Sequence, residues 1–224
     1  MQQVIIVGSG QLARELVDSL DAGEGCAVVR WPVAPGTAPS IVVHAGSGRE
    51  LAAVAAFCEA SGSPLVELAT GSVLEQGSHG FPVVVCPNTN ILMLKFMGML
   101  ERSGHLFHGH RITLAESHQA QKTSVPGTAV GMAHALGLAA GDIRSVRSAE
   151  VQSRDLHIPK EHLGRHAYHR IDIGDGLCSL TLETRVYGDA PYADGVARIV
   201  AAARAHPLDN RIYSVMEFVH SGWL

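Results

Sequence analysis

Val4-Ile5-Ile6-Val7 is an unbroken apolar run, and Gly8-Ser9-Gly10-Gln11-Leu12-Ala13 follows it directly. A short continuous run of this kind marks a strand buried on both faces of a parallel sheet. Leu12, Leu16 and Leu20 then recur at helical spacing. Strand, glycine turn and helix in that order give the GxGxxA pattern physical content. Gly8 permits the tight turn, Gly10 lets the backbone approach a pyrophosphate, and Ala13 lets helix and strand pack closely. A dinucleotide-binding unit is expected, with Gly8, Gly10, Gln11 and Leu12 around the phosphates. The plainer alternative is a tight turn that holds no ligand.

Further alternation of strands and helices extends this unit. Ala27 to Trp31 reads as a second strand, ending about twenty residues past the glycines, where adenosine specificity is usually set. Arg30 stands there instead of an acidic residue. It suits the 2′-phosphate of NADP, or is simply a surface arginine, so the expected cofactor is NADPH or NADH. Ile41 to His44 is a third strand and Glu50 to Ala60 a helix. Pro64-Leu65-Val66 starts a fourth strand ending at Ala69-Thr70-Gly71, and Phe81 to Cys86 is a fifth, closing on Pro87-Asn88-Thr89-Asn90. Ligands of open α/β sheets sit outside the carboxyl ends of the strands. Gly10, Arg30, Ala45, Thr70 and Asn88 are therefore candidate contacts, with Ala69, Pro87 and Thr89 beside them. A methionine-containing helix follows from about Ile91 to Leu100.

The character then changes. Ile112 and Leu114 open a half-buried strand, a polar loop holds His118 and Lys122, and an alanine-rich helix begins after Pro126-Gly127 with Thr128 as its expected cap. Imidazole, ammonium and a helix start, which attracts anions, converge in one loop. His118 and Lys122 are four apart and share a side. Such a site suits a small anionic substrate that must also receive a proton. Glu116 is expected to orient the loop or pair with a base. Val146 to Val151, Ala167 to Ile173 and Cys178 to Val186 read as strands, the last two joined by Gly174-Asp175-Gly176 as a hairpin. A sheet with one free face suits an oligomer interface, which Arg185 and Asp189 would serve. Tyr192 to Ala205 is a final helix, and the tail after Pro207 returns to the first domain.

The expected class is therefore α/β: an N-terminal Rossmann-like parallel sheet (1–108 with 207–224) and a second α+β domain (109–206) whose open mixed sheet drives oligomerisation. The formal charge of −4 argues against a nucleic-acid surface. The N-terminus lacks the pattern of a signal peptide and no run is long enough to cross a bilayer, so a cytoplasmic protein is expected. Cys26, Cys58, Cys86 and Cys178 have neither metal-ligand nor disulfide spacing and read as buried thiols. Only Lys95, Lys122 and Lys160 among the 17 basic residues are lysines, so Lys122 hints at a task for a compact ammonium. His105, His108 and His110 lack the further ligands of a closed site, and no metal is expected. His157, His162, His166 and His169 read as a solvated loop, with His166 alone having a positional reason to approach substrate.

Taken together, these residues resemble the dihydrodipicolinate reductases, the 4-hydroxy-tetrahydrodipicolinate reductases of lysine biosynthesis. That family's signature runs Glu-x-His-His-x-x-Lys-x-Asp-x-Pro-Ser-Gly-Thr-Ala. Here it stands as Glu116-Ser117-His118-Gln119-Ala120-Gln121-Lys122-Thr123-Ser124-Val125-Pro126-Gly127-Thr128-Ala129. Ala69-Thr70-Gly71 is similar to the family's Thr-Thr-Gly, and Cys86-Pro87-Asn88-Thr89-Asn90 to its Ala-Pro-Asn-Phe-Ser. Gly164-Arg165-His166 stands near its Gly-Glu-His, and Tyr213-Ser214-Val215-Met216 near its closing Tyr-Ser-Met. The resemblance implies an NAD(P)H-dependent reductase of a cyclic imine dicarboxylate in the diaminopimelate pathway, built as a homotetramer. It would make His118 the proton donor and Lys122 its catalytic partner at a carboxylate. Gln119, Gly127 and Thr128 would hold substrate. Gln119 replaces the family's second histidine, Ser124 replaces its aspartate, and the loop is one residue shorter. These departures leave open a paralogue acting on another small imine or unsaturated acid, or a non-catalytic nucleotide-binding protein.

Overall fold

The chain opens as β1 (Gln2–Val7), α1 (Gln11–Ser19), β2 (Cys26–Arg30), β3 (Ser40–His44), α2 (Leu51–Ser61), β4 (Leu65–Glu67), β5 (Val83–Val85) and α3 (Ile91–Ser103). It continues through β6 (Arg111–His118), α4 (Gly127–Ala135), β7 (Arg144–Val146), α5 (Ala149–Arg154), β8 (Ala167–Gly174) and β9 (Ser179–Val186). It finishes with α6 (Ala193–Ala205), β10 (Ile212–Ser214) and α7 (Val215–His220). The structure is a computed structural model. It describes residues 2–34, 40–123, 126–188 and 192–224, so Ser124 and Asp189 lie outside the described residues. The chain divides into two units, residues 1–94 with 192–224, and residues 95–191.

In the first unit six strands pair in the order β10-β5-β4-β3-β1-β2, all parallel. Successive side chains of a strand point to opposite faces, which explains why Val4–Val7 of β1 and Ile41–Val43 of β3 are unbroken apolar runs. Val4, Ile6, Ile41 and Val43 pack on one face with Leu16 of α1 and Val196, Ile199 and Val200 of α6. Ile5, Val7 and Val42 pack on the other with Leu51, Val54 and Cys58 of α2. The strand order turns back between β1 and β3, the switch point at which open sheets of this kind present a crevice.

Sequence reading put α6 in the second domain and the boundaries after 108 and 206; the structure corrects both. The apolar face of α6 belongs to the core of the first sheet, and the divisions fall after 94 and before 192. Gly195 permits that packing, since a Cβ there would lie 1.7 Å from the carbonyl oxygen of Thr89. The tail does return to the first unit, where β10 pairs with β5.

The second unit holds a mixed sheet in the order β7-β6-β8-β9, with β6–β7 parallel and β6–β8 and β8–β9 antiparallel. The hairpin turn forms as expected, the Asp175 carboxylate accepting bonds from the amides of Leu177 and Cys178. The expected strand from Val146 to Val151 does not form beyond Val146. Ala149–Arg154 is helix α5 instead, with Glu150 in its first turn, where a carboxylate favours the helix dipole. Burial pushes the thiols of Cys58 and Cys86 up to about 12. Cys178, against expectation, is exposed just past the hairpin turn, and Cys26 is only partly buried. Among the described residues no helix is long and apolar enough to cross a membrane.

Candidate active site

Strand β6 delivers the chemistry of the second unit. Glu116 and His118 are two apart on it and share a face. The Glu116 side chain is fully buried, and its Oε2 accepts a hydrogen bond from Nδ1 of His118 at 2.8 Å. Its Oε1 accepts from Nη2 of Arg147 at 2.7 Å. Burial alone would raise the Glu116 pKa. The hydrogen bonds from His118, Arg147 and Ser145 more than offset it and hold the carboxyl at about 2. With Nδ1 committed to a carboxylate, Nε2 is the ring nitrogen left to serve a ligand. The His118 side chain is 14% exposed.

Arg147 does a second thing. Its Nε donates to the carbonyl of Lys122 at 2.8 Å and its Nη1 to the carbonyl of Val146 at 2.9 Å. One guanidinium thus ties the carboxylate behind His118 to the turn that carries Lys122, itself closed by Lys122 N–H on the Gln119 carbonyl. Sequence reading placed His118 in a loop; it is the last residue of β6, paired with Ala167 of β8. Lys122 and Gln119 are partly exposed beyond it. Helix α4 starts at Gly127 with Pro126, not Thr128, in the capping position, and no side chain caps it. Thr128 lies inside the first turn, so its backbone, with that of Gly127, sits at the positive end of the helix dipole.

The second histidine cluster is also corrected. His166 and His169 are 4% and 2% exposed, and they flank the candidate acid. His169 stands opposite Glu116 in the β6–β8 register. The His118 ring centroid lies 5.9 Å from that of His169 and 6.5 Å from that of His166. His166 Nε2 shares a hydrogen bond with Ser117 Oγ at 2.9 Å, and Gln152 Nε2 donates to the carbonyl of His118 at 2.8 Å. Burial lowers the pKa of both histidines, with the charge of His118 adding to it, and brings His169 to about 4. Both are neutral neighbours at pH 7. Arg147 and Gln152 were not found by sequence reading, and no local signal in the sequence marks either.

In the first unit every strand leaves by the same edge, which gathers the predicted cofactor residues at the carboxyl ends of β1 to β5. Gly8 has φ +124°, and a Cβ there would come within 2.6 Å of the Ala45 carbonyl oxygen and 3.0 Å of the Gly46 Cα. Only glycine fits that turn. Gly10 precedes α1, which Gln11 opens and whose Leu12 packs on the core. Arg30 is exposed, 4.0 Å from an exposed Asp18. Ala69 and Thr70 leave β4, and the Ala69 amide donates to Glu67. Pro87, Asn88 and Thr89 leave β5, with the Asn88 side chain accepting from the Asn90 amide at 2.9 Å.

Beneath this edge lies a pair that sequence reading missed. Nδ1 of His44 donates to Oε1 of Glu67 at 2.7 Å, and neither side chain has any exposure. The signal was visible: otherwise apolar central strands end on a histidine and a glutamate. His44 Nε2 is buried without a hydrogen-bond partner. It lies 2.9 Å from where a Cβ on Gly46 would stand. A nicotinamide dinucleotide requires a turn bare of side chains for its pyrophosphate and buried polar atoms for its oxygens. The Gly8–Gly46 junction and the orphaned His44 nitrogen fit it.

The first sheet, parallel with its glycine turn after β1, is Rossmann-like, and the second is a four-stranded mixed sheet. The dipicolinate-bound dihydrodipicolinate reductase of Paenisporosarcina sp. TG-14 superposes with a TM-score of 0.63 at 18% identity, covering 97% of this chain and 99% of that one. An engineered D-amino acid dehydrogenase superposes with a TM-score of 0.51 at 9% identity, over 97% of this chain and 94% of that one. By sequence, the chain is a distant homologue of the 4-hydroxy-tetrahydrodipicolinate reductases. It is 28% identical over 153 residues to the chloroplastic reductase 1 of Arabidopsis thaliana, covering 62% of this chain and 44% of that protein. It is 26% identical over 155 residues to the probable chloroplastic reductase 1 of Oryza sativa subsp. japonica, covering 62% and 45%. The match therefore spans less than half the length of these curated relatives. No protein-family model matches the chain.

Proposed function

We propose that the chain is an NAD(P)H-dependent reductase of a small cyclic imine that carries two carboxylates, the reaction of the 4-hydroxy-tetrahydrodipicolinate reductases. The observation that carries this reading is the line Arg147–Glu116–His118, in which a buried carboxylate fixes the imidazole by Nδ1. A bound NAD(P)H would supply the hydride. His118 supplies the proton from Nε2 to the imine nitrogen, so that the C=N double bond becomes a C–N single bond with one new C–H and one new N–H bond. Glu116 keeps the ring in one orientation, a positioning role for the carboxylate behind a general-acid histidine. Lys122 takes one substrate carboxylate by its ammonium, and Gly127 and Thr128 take the other at the start of α4.

Gln119 adds a neutral donor where the related signature has a second histidine. A charge-assisted bond is roughly twice as strong as a neutral one, so this substitution favours a substrate with a weaker demand on that side, such as another imine or unsaturated acid. The largely exposed β9 supports assembly of the chain as a homo-oligomer. A turnover assay with freshly generated 4-hydroxy-tetrahydrodipicolinate, run with NADPH and with NADH, tests the reading. Turnover that falls at least tenfold in His118→Gln supports it, and unchanged turnover removes His118 from the mechanism. Nucleotide binding without turnover on that imine points to the other substrates.

A further inference from the structure

We infer that His44 is a nucleotide-contacting residue, its Nε2 bonding an oxygen of the nicotinamide nucleotide at the carboxyl ends of β1 and β3. The inference rests on the cofactor named under the proposed function and assigns a residue that neither the glycine motif nor the resemblance includes. Burying an imidazole and a carboxylate is costly unless their polar atoms are met. Glu67 is fully engaged: Oε1 accepts from His44 and from the Ala69 amide, and Oε2 accepts from Ser72 Oγ at 2.8 Å. His44 is half engaged, and among the described residues its Nε2 is one of three buried polar side-chain atoms without a partner. Such an atom in a native structure calls for an explanation.

Its position supplies one. The space beside Nε2 is that of the absent Gly46 side chain, and a Cβ filling it would also lie 3.4 Å from the Gly8 Cα. The nitrogen therefore faces the junction of the two glycine loops at the switch point, where a nucleotide's sugar and phosphates lie in folds of this kind. A cavity of about 620 Å³ adjoins it, lined by His44, by the hydroxyl residues Ser47, Thr70 and Ser72, and by apolar residues including Leu51 and Ala55. A few polar groups among apolar lining suit a nucleoside. Because Nδ1 is committed to Glu67, Nε2 accepts from a ribose hydroxyl when the ring is neutral and donates to a phosphate oxygen when it is charged.

Nitrogen-15 spectra of the full chain labelled at histidine, titrated with NADPH and NADH, test this directly. The His44 Nε2 resonance is expected to shift on saturation, identified by its loss in His44→Phe or His44→Gln. By fluorescence titration His44→Phe is expected to bind NADPH at least tenfold more weakly than wild type. Inorganic pyrophosphate and nicotinamide riboside separate the sources: a shift with the first assigns a phosphate oxygen, with the second a ribose hydroxyl. An unmoved Nε2 resonance in wild-type protein saturated with NADPH overturns the inference, even if the variants fail to fold. So does a His44→Phe affinity within twofold of wild type. A wild-type chain that binds neither nucleotide overturns the proposed function, and this inference with it.

Discussion

Glu116 Oε2 and His118 Nδ1 lie 2.8 Å apart, joining a side chain with no exposure to one that is 14% exposed. The pair spans the boundary between a sealed interior and a surface a ligand can reach. His118 and Arg147 bond different oxygens of the carboxylate, so Glu116→Gln turns an NH2 group, itself a donor, toward one of the two donors. Turnover is expected to fall at least tenfold, within the ~10²–10⁴-fold that general acid catalysis contributes. Steady-state kinetics on the folded variant check this.

The same carboxylate governs acid stability. The Glu116 pKa is held at about 2 in the folded chain, below its usual 4.5. Its contribution is present in full above 4.5 and is lost as pH falls toward 2. Thermal melts across that window should show a steeper decline for wild type than for Glu116→Gln.

His169 acts one window higher. Its folded pKa of about 4 lies below the usual 6.5, so the unfolded chain binds the proton more readily between those values. Stability from its neutral form is complete above 6.5 and is lost as pH falls to about 4. His169→Phe should flatten the melting curve between pH 6.5 and 4 and leave the lower window unchanged.

Arg147→Lys tests the clamp. An ammonium cannot reproduce a guanidinium fork that reaches Glu116, Lys122 and Val146 together. The variant is expected to lose both anchorage of His118 and the position of Lys122. Turnover should drop and KM for the substrate should rise, each by about tenfold, whereas a lysine that preserves both parameters removes the clamp from the account.

Gly195→Ala addresses the first unit. The added methyl would stand 1.7 Å from the Thr89 carbonyl oxygen, so α6 or the loop after β5 must shift. A loss of about 2–3 kcal/mol is expected, at the upper end for overpacking. Urea unfolding measures it, and nucleotide affinity should weaken in the same variant as Asn88 and Thr89 move.

The first sheet was legible because strands buried on both faces must be apolar runs, and Val4 to Val7 and Ile41 to Val43 could be little else. The candidate acid, His118, is proposed from the loop that holds Glu116, His118 and Lys122 and from that loop's resemblance to a family signature. Its surroundings were not legible. His166 and His169 look solvated by composition, and only the pairing of β8 with β6 buries them. Arg147 reaches a carboxylate 31 residues away, a relation no local pattern encodes. Val146 to Val151 alternates over too few residues to separate strand from helix. In the helix it forms, the Gln152 side chain bonds the carbonyl of His118.

The pairing of β10 with β5 has a consequence for synthesis. During translation the edge of β5 waits while more than a hundred residues emerge, because Ile212–Ser214 follows Val83–Val85 by that distance. An unpaired strand edge is a site for adhesion to other chains, and pairing so distant in sequence is slow to form. A nascent chain stalled before Ile212 would therefore leave that edge open to other chains until the closing strand arrives.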